Sequence, residues 1–197
     1  MKSFERGLKR ILDIIIALIC LILFSPLFLI CYIAIKREDG GPAIFVQERI
    51  GYKGKPFMIY KFRSMRVDAE KGGPTLYKHQ EDNRLTKIGL YLREHHLDEL
   101  PQLWNVLIGD MSFIGPRPER KFFIDQIMER DSRYEQLYQI RPGVTSYATL
   151  YNGYTDTMEK MLKRLELDLY YLEHGSLWFD AKILWMTFTS IVFGKKF

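Results

Sequence analysis

Cysteine is scarce in this sequence, which has two cysteines among 197 residues. Cys20 and Cys31 both lie in an apolar N-terminal run, and neither has a cysteine or histidine neighbour at metal-ligand spacing. This pattern excludes a disulfide framework and a cysteine-based zinc site, and it fits a reducing compartment. We interpret both side chains as apolar thiols buried in that run.

Internal repeats and low-complexity segments are also absent, so the chain is predicted to form one compact domain with its own core. The formal net charge is +5 and the pI is about 9.1. A basic balance suits an anionic partner such as a phospholipid surface, a nucleotide or nucleic acid. The basic residues do not form one dense run, so no nucleic-acid partner is predicted.

No charged residue occurs at positions 14–35, a stretch that would form a helix of about 33 Å. That length is enough to cross a hydrocarbon core. A cleaved signal peptide is disfavoured, because the run is long and no small-x-small site follows it. Ser25-Pro26 in the middle of the run predicts a kink, since proline removes a backbone hydrogen bond.

Basic residues flank the apolar run on both sides: Lys2, Arg6, Lys9, Arg10, Lys36 and Arg37. Such residues favour the cytoplasmic side of a membrane, so a bent segment that enters and leaves by one face satisfies both flanks. Glu38 and Asp39 dilute the second basic cluster, and proline-kinked spanning helices are common. These residues therefore leave a re-entrant segment and a spanning segment both open.

A β-hairpin is predicted just after the apolar segment, which ends at Gly40-Gly41-Pro42. Residues 43–47 and 57–62 read as strands, and residues 51–55 between them have turn chemistry. Residues 68–82 are polar and are predicted to form a mobile surface loop.

Helical periodicity dominates the rest of the chain. Apolar residues three and four apart predict a helix near 100–107. A longer helix is predicted from one apolar stripe: Met158, Leu162, Leu165, Leu169 and Leu172. Residues 183–193 are apolar but too short to cross a bilayer, and Lys195-Lys196 follows, which favours an interfacial helix or a core helix. The predicted fold class is α+β, mainly helical.

The candidate chemistry centres on Asp98-Glu99, which precedes a predicted helix with Pro101 in its first turn. A helix N-cap followed by an acidic first turn is one explanation. Adjacent carboxylates do not face each other across a cleft. One could therefore attack a substrate while the other binds a metal or orients water, and a carboxylate nucleophile suits formation of an acyl-phosphate.

Arginines surround this pair in the sequence: Arg84, Arg93, Arg117, Arg120 and Arg141. Arg117 lies between Pro116 and Pro118, and Arg141 precedes Pro142, so prolines hold both arginines on rigid loops. A guanidinium group matches phosphate bidentately, although each arginine alone also fits an ordinary surface turn. Together with a membrane anchor and the carboxylate pair, they favour phosphoryl transfer.

Five further candidates also have ordinary structural explanations. Lys61 and Arg63, at the end of the second predicted strand, fit solvated edge charges. His95 and His96 lack metal-ligand spacing and fit surface or packing positions. Asp168, with an arginine four residues earlier, fits an ion pair on a helix surface.

Two adjacent segments resemble a known family: LDELPQLWNVL at 97–107 and GDMSFIGPRP at 109–118. They are similar to the signature of the bacterial sugar transferases, the small monotopic polyprenol-phosphate phosphoglycosyl transferases. Further similar segments extend the resemblance over nearly the whole chain: 47–51, 61–65, 141–143 and 168–173.

The resemblance implies a re-entrant membrane helix over residues 1–38, broken at Ser25-Pro26. It also implies a cytosolic catalytic domain with interfacial amphipathic helices over residues 39–197. The expected location is the cytoplasmic face of the bacterial inner membrane, with a homodimer as one option for assembly. The length is that expected of the family's minimal members.

The resemblance also implies a reaction. Asp98 would attack the β-phosphate of a UDP-sugar, release UMP and form an aspartyl-phosphosugar, which polyprenol phosphate (undecaprenyl phosphate) would then attack. Glu99, together with Asp98, would hold Mg²⁺, which neutralises diphosphate charge. Substrate binding would involve a wider set, in which Asp168 orders an arginine: Lys61, Arg63, Arg93, Pro116, Arg117, Pro118, Arg141 and Asp168.

One segment departs from the family pattern. Many members carry an Asn-Gly-Arg-Asn-like sequence where this chain has YNGYTD at 151–156. The missing arginine affects the sugar or nucleotide contacts expected of that loop and leaves Asp98-Glu99 untouched. A membrane-bound Mg²⁺ phosphohydrolase and a non-enzymatic scaffold are the alternatives, and no motif selects a particular sugar or glycan pathway.

Overall fold

The computed structural model describes residues 3–71, 73, 82–153 and 155–193. This part of the chain is mainly helical and contains two-stranded sheets, so the predicted α+β class is confirmed. The loop predicted at 68–82 lies largely outside the described residues, and Lys195-Lys196 lies outside them entirely.

Two helices form the N-terminal segment: α1 spans Ser3–Leu23 and α2 spans Ser25–Asp39. The chain bends by 61° at the break between them, and Pro26 lies in the first turn of α2. The predicted kink at Ser25-Pro26 is therefore confirmed. Among the described residues, no single helix is long and apolar enough to cross a membrane, whereas this bent pair meets that test jointly by length and composition.

The helix pair exposes a broad apolar surface. Its strongly exposed side chains include Ile11, Ile15, Ile19, Ile22, Leu23, Leu29 and Ile30. The opposite side packs on the rest of the protein, because Ala17 shares a cluster with Val106 while Cys31 and Ile35 share another with Phe62. Contiguous exposed apolar surface of this kind marks a contact with a partner or a membrane.

The predicted hairpin is confirmed. Strand β1 (Ile44–Ile50) pairs antiparallel with β2 (Pro56–Phe62), and a short 3₁₀ turn at Tyr52–Gly54 connects them. Strand β1 continues beyond its predicted end at residue 47.

A second, parallel sheet joins β3 (Ser112–Ile114) to β4 (Gly143–Thr145). Strands of three residues carry too short a pattern to be predicted from periodicity. The Gly143 N–H donates to the Pro116 carbonyl at 2.9 Å. A Cβ at Gly143 would lie only 2.2 Å from the Gly115 nitrogen, so this close approach of two backbones requires glycine.

The remaining helices are α3 (Lys87–Glu94), α4 (Gln102–Ile108), α5 (Lys121–Met128), α6 (Tyr147–Asn152), α7 (Met158–His174) and α8 (Leu177–Val192). The helix predicted near 100–107 corresponds to α4, and the predicted long helix corresponds to α7. All five predicted stripe residues of α7 lie in or against one core cluster. That cluster also contains Phe123, Ile124 and Ile127 of α5.

Helix α8 has one buried face and one exposed face. Ile183 is 1% exposed, and the buried Asp180 accepts hydrogen bonds from Lys9 Nζ at 2.7 Å and from the Tyr171 hydroxyl at 2.5 Å. The opposite face exposes large aromatic side chains: Trp178, Trp185 and Phe188. The helix therefore packs on the core, as one of the two alternatives predicted, and the interfacial alternative stays a prediction.

Candidate active site

Asp98 and Glu99 lie on a short 3₁₀ turn, Leu97–Glu99, between α3 and α4. His96 precedes this turn in the left-handed backbone region, at a φ of 53°. The Asp98 side chain is buried, with the residue 6% exposed. The N-cap residue of α4 is Pro101, so neither Asp98 nor Glu99 occupies that position. The helix-cap explanation for the pair is therefore wrong.

Glu99 is held by two cations. Its Oε1 accepts hydrogen bonds from Lys61 Nζ at 2.6 Å and from Arg117 Nη2 at 3.2 Å. Burial alone would raise the pKa of Glu99, but the charges of Lys61 and Arg117 outweigh burial and hold the pKa well below its ordinary value. Glu99 is therefore a fixed anion throughout the neutral pH range.

Asp98 shows the opposite behaviour. Burial raises the pKa of Asp98 above its ordinary value, and the neighbouring Glu99 adds to this rise, while Lys61 and Arg93 oppose it. The two adjacent carboxylates thus have shifts of opposite sign, because burial dominates at Asp98 while the charges and hydrogen bonds of Lys61 and Arg117 dominate at Glu99. Such divergence is typical of sites in which two carboxyl groups have different chemical roles.

Four of the predicted substrate-binding cations border the same cavity as the carboxylates: Lys61, Arg63, Arg93 and Arg117. Lys61 belongs to β2, and burial lowers its pKa although Glu99 opposes this. Arg117 lies on the loop after β3, and the charge of Glu99 raises its pKa. Arg93 lies on α3. The fold therefore brings together residues that are far apart in the sequence.

The cavity has a volume of about 820 Å³, which is within the usual range for ligand pockets. Part of its lining is rich in arginine: Arg49, Arg63, Arg66, Arg84, Arg93, Arg117, Arg120 and Arg164. Another part contains Thr145 of β4 with Thr187 and Ile191 of α8. One cavity thus joins groups that bind anions to the helix with the exposed aromatic face.

Pro116 and Pro118 fix the loop that carries Arg117. The Pro116 carbonyl accepts the Gly143 N–H at 2.9 Å, and the Pro118 carbonyl accepts a hydrogen bond from Arg49 Nη1 at 3.2 Å. The two prolines therefore place Arg117 through their backbone carbonyls. Direct contact between these prolines and a substrate stays a prediction.

Asp168 lies inside the protein beside this loop and is 2% exposed. Burial raises its pKa to about 8, although Arg164 and the backbone of Arg117 oppose the shift. Arg164 is also buried, and its Nη1 donates to Glu119 Oε1 at 2.6 Å. The helix-surface explanation for Asp168 is therefore wrong, and its position suits the expected role of ordering Arg117.

Two predicted substrate-binding arginines are engaged elsewhere. Both Nη atoms of Arg63 donate to the carboxylate of Asp39. Arg141 Nε donates to the Gly109 carbonyl at 2.8 Å, and its guanidinium carbon lies 5.2 Å from the centre of the Tyr52 ring. Arg141 thereby caps the C-terminal end of α4 and does not line the cavity. Arg63 borders the cavity, but Asp39 engages its guanidinium group, whereas Arg141 lies outside the cavity lining.

Sequence reasoning missed other residues at the site. Glu119 accepts hydrogen bonds from Arg49 at 3.4 Å and Arg164 at 2.6 Å, within a buried network beside the cavity. His96 was predicted to be a surface or packing residue, yet it borders the cavity and favours the anionic form of Asp98. The available signal was its position two residues before Asp98.

The segment that departs from the family pattern also borders the cavity. Gly153 and Thr155 line it, whereas Tyr154 lies outside the described residues. Positions 151–156 contain no arginine or lysine. A contact from this loop to an anion must therefore come from an uncharged donor, such as a backbone N–H, a hydroxyl group or the Asn152 amide.

The carboxylate pair also defines the candidate metal site. Within the described ranges, no group of three or more metal-ligating side chains comes together. Mg²⁺ commonly binds through one or two carboxylates and completes its coordination with waters and substrate phosphates. Asp98 and Glu99 supply that number of carboxylates at the cavity. They therefore fit Mg²⁺ bound together with a diphosphate. Glu99 Oε2 is better placed for this than Oε1, because Oε1 already accepts two hydrogen bonds.

A buried carboxylate pair among cations, in a cavity of ligand size, has the charges and the room to bind a phosphate-bearing ligand together with a metal ion. The chain belongs to the bacterial sugar transferase family, whose sequence model matches residues 4–194. The resemblance identified from the motifs is therefore confirmed.

Individual relatives are similar over nearly the whole chain. It is 41% identical over 187 residues to UDP-N-acetylgalactosamine-undecaprenyl-phosphate N-acetylgalactosaminephosphotransferase of Aeromonas hydrophila, covering 95% of this chain and 44% of that protein. It is 42% identical over 189 residues to UDP-glucose:undecaprenyl-phosphate glucose-1-phosphate transferase of Escherichia coli, covering 95% and 40%. A protein of the latter name from Caulobacter vibrioides is 43% identical over 187 residues, covering 93% and 69%. The chain thus spans less than half the length of the first two relatives.

Proposed function

We propose that this protein transfers a phosphosugar from a UDP-sugar to polyprenol phosphate and releases UMP, through a covalent intermediate on Asp98. The carrying observation is the buried Asp98-Glu99 pair, in which Lys61 and Arg117 hold Glu99 as an anion by direct contact while burial raises the pKa of Asp98. The names of the relatives, which specify UDP-sugars and undecaprenyl phosphate, support this substrate class.

In the first step, a carboxylate oxygen of Asp98 attacks the β-phosphorus of the UDP-sugar. The bond between that phosphorus and the bridging oxygen breaks, and UMP leaves with the electron pair. Burial removes water from Asp98 and so strengthens its anion as a nucleophile, while Lys61 and Arg93 favour the anionic form. Arg93 and Arg117 would hold the phosphate oxygens.

Glu99 has a supporting role in this scheme. Mg²⁺, when bound through the carboxylate pair and the diphosphate, supplies positive charge at the leaving group. Lys61 and Arg117 fix the Glu99 carboxylate from one side, at 2.6 and 3.2 Å. The orientation of Glu99 is therefore set before any substrate enters, which lowers the cost of assembling the site.

In the second step, a phosphate oxygen of polyprenol phosphate attacks the phosphorus of the aspartyl-phosphosugar, and the Asp98 carboxylate leaves. The product is a polyprenol-diphosphate-sugar. The cavity lining supports a lipid acceptor, because Thr187 and Ile191 belong to α8, the helix that exposes Trp178 and Trp185. Tryptophan is favoured at membrane interfaces.

We place the protein on the cytoplasmic face of the bacterial inner membrane through α1 and α2, as a re-entrant segment over residues 1–38. Each arm of the apolar run is about 16 Å long. With the observed bend of 61° and both ends at one surface, the apex reaches only about 8 Å below those ends. That depth lies within a hydrocarbon core about 30 Å thick, so the bend is compatible with entry and exit by one face, and the basic residues on both flanks favour this arrangement.

The test uses purified protein with a panel of UDP-sugars, first without and then with polyprenol phosphate. Donor alone should add the mass of a phosphosugar at Asp98, and initial-rate plots for the two substrates should give parallel lines. Asp98→Asn should abolish both the mass gain and turnover, while Asp125→Asn, an exposed carboxylate on α5, serves as the control. Intersecting lines without a mass gain would refute the covalent mechanism. Release of both UMP and free sugar phosphate, with water as acceptor and without need of the lipid, would indicate a phosphohydrolase.

A further inference from the structure

Arg63 and Asp39 form a bidentate ion pair. Arg63 Nη1 lies 2.6 Å from Asp39 Oδ2, and Arg63 Nη2 lies 2.5 Å from Asp39 Oδ1. Arg63 Nε donates to the Pro42 carbonyl at 2.6 Å, and Nη1 also approaches the Met65 carbonyl at 3.3 Å. The residue is 5% exposed. All three guanidinium nitrogens are therefore engaged by protein groups.

The carboxylate of this pair terminates the apolar helix α2. Asp39 is the last residue of α2, and hydrogen bonds from Arg63 and then from the Gly41 N–H lower its pKa to about 2. Near the other end of α2, the Phe28 ring packs on Phe62, with ring centres 5.5 Å apart. Helix α2 is thus joined to the end of β2 by an ion pair at its C-terminus and by an aromatic contact near its N-terminus.

Arg63 also lies between two cations of the candidate active site. Lys61, two residues earlier, donates to Glu99 at 2.6 Å, and Ser64, the next residue, accepts Arg93 Nε–H at 2.8 Å. A displacement of the backbone at Arg63 therefore moves the supports of both Lys61 and Arg93. The guanidinium group itself is closely packed, because a Cβ at Gly41 would lie 2.8 Å from Arg63 Nη2.

We propose that Asp39 and Arg63 are a positioning pair, which holds Lys61 and Arg93 in place against Asp98-Glu99 and joins this arrangement to the end of α2. Arg63 acts on the reaction through Asp39 and does not bind substrate phosphate. The kinetic part of this proposal rests on the proposed transferase function.

The test compares Asp39→Asn, Arg63→Gln and the double variant in the transferase assay. Each single variant should lower kcat about tenfold, with the KM for the UDP-sugar changed by less than about twofold. The double variant should lose no more than either single variant, because both changes break one interaction. Asp131→Asn and Arg133→Gln, which alter an exposed carboxylate–guanidinium pair, should leave kcat unchanged.

A second measurement needs no turnover. Hydrogen exchange should become faster in the segments 57–66 and 87–96 of Asp39→Asn, because the supports of Lys61 and Arg93 loosen. If the wild type transfers no phosphosugar, the proposed function fails. The exchange result then decides by itself whether Asp39 and Arg63 hold the supports of Lys61 and Arg93 in place.

Three results would overturn the proposal. The first is a large KM increase in Arg63→Gln with normal kinetics in Asp39→Asn, which would make Arg63 a substrate-binding residue. The second is a loss of kcat in the double variant that equals the product of the losses in the two single variants. The third is evidence that the pair is purely structural. This would be unchanged hydrogen exchange in both segments, or a lower thermal midpoint together with an unchanged kcat of the folded protein.

Discussion

Gly89 allows α3 to pack directly on the backbone of Ser64, and replacing it with alanine should destabilise the protein. A Cβ at Gly89 would lie 1.9 Å from the Ser64 carbonyl oxygen and 2.5 Å from its carbonyl carbon. An ordinary contact between carbon and a carbonyl oxygen is about 3.3 Å or longer, so α3 or the Ser64 backbone must move by about 1.4 Å. Neither group is the flexible end of a side chain.

Two opposing terms set the magnitude. In a helix with free space, Gly→Ala is stabilising by up to about 1 kcal/mol, because alanine loses less backbone entropy. Inserting a methyl group into a filled site costs about 1–3 kcal/mol, and a clash of backbone with backbone belongs at the upper end. The net free energy of unfolding should therefore fall by about 2 kcal/mol, or about 4–8 °C in Tm for a chain of this size.

The assay is thermal unfolding of the purified protein in one detergent, followed by tryptophan fluorescence. Gly7→Ala is the matched control, since Gly7 is also helical and a Cβ there meets no atom within 4 Å. Gly7→Ala should leave Tm unchanged or raise it. A Tm for Gly89→Ala equal to or above that of the wild type would refute the close contact between α3 and Ser64.

The remaining predictions concern the metal, the membrane topology and pH. Excess EDTA should abolish turnover and added Mg²⁺ should restore it, because Glu99 acts through the cation; full activity in EDTA would contradict this. In a background with Cys20 and Cys31 replaced by alanine, a cysteine at Ser3 should react with a membrane-impermeant thiol reagent only after cell lysis; labelling of intact cells would indicate a spanning segment. The pKa of Asp168 is raised from 3.8 to about 8, so the native state binds a proton that the unfolded chain releases, and stability should fall as pH rises from about 4 to 8. Asp168→Asn should remove this part of the pH dependence of Tm; an unaltered profile would show that Asp168 is not the titrating group.

Local patterns predicted several features correctly. The kink at Ser25-Pro26 follows from proline's missing N–H, and the hairpin follows from two strands with turn residues between them. The apolar stripe of α7 follows from helical periodicity over many residues, which makes it a strong signal. The importance of Asp98-Glu99 came from the resemblance of its surrounding motif to a family. Each of these signals is contained in a continuous stretch of the chain.

The sequence by itself thus determined the main elements, the family and the carboxylate pair, because periodicity, turn chemistry and motifs are local. Only the tertiary structure decided which cations meet that pair. Lys61 reaches Glu99 across 38 positions and Arg117 reaches it across 18, whereas Arg63 pairs with Asp39, 24 positions away. Each arginine has the same charge and the same fork of donors. Its role therefore depends on which carboxylate or carbonyl the packing of helices and strands brings within hydrogen-bond distance.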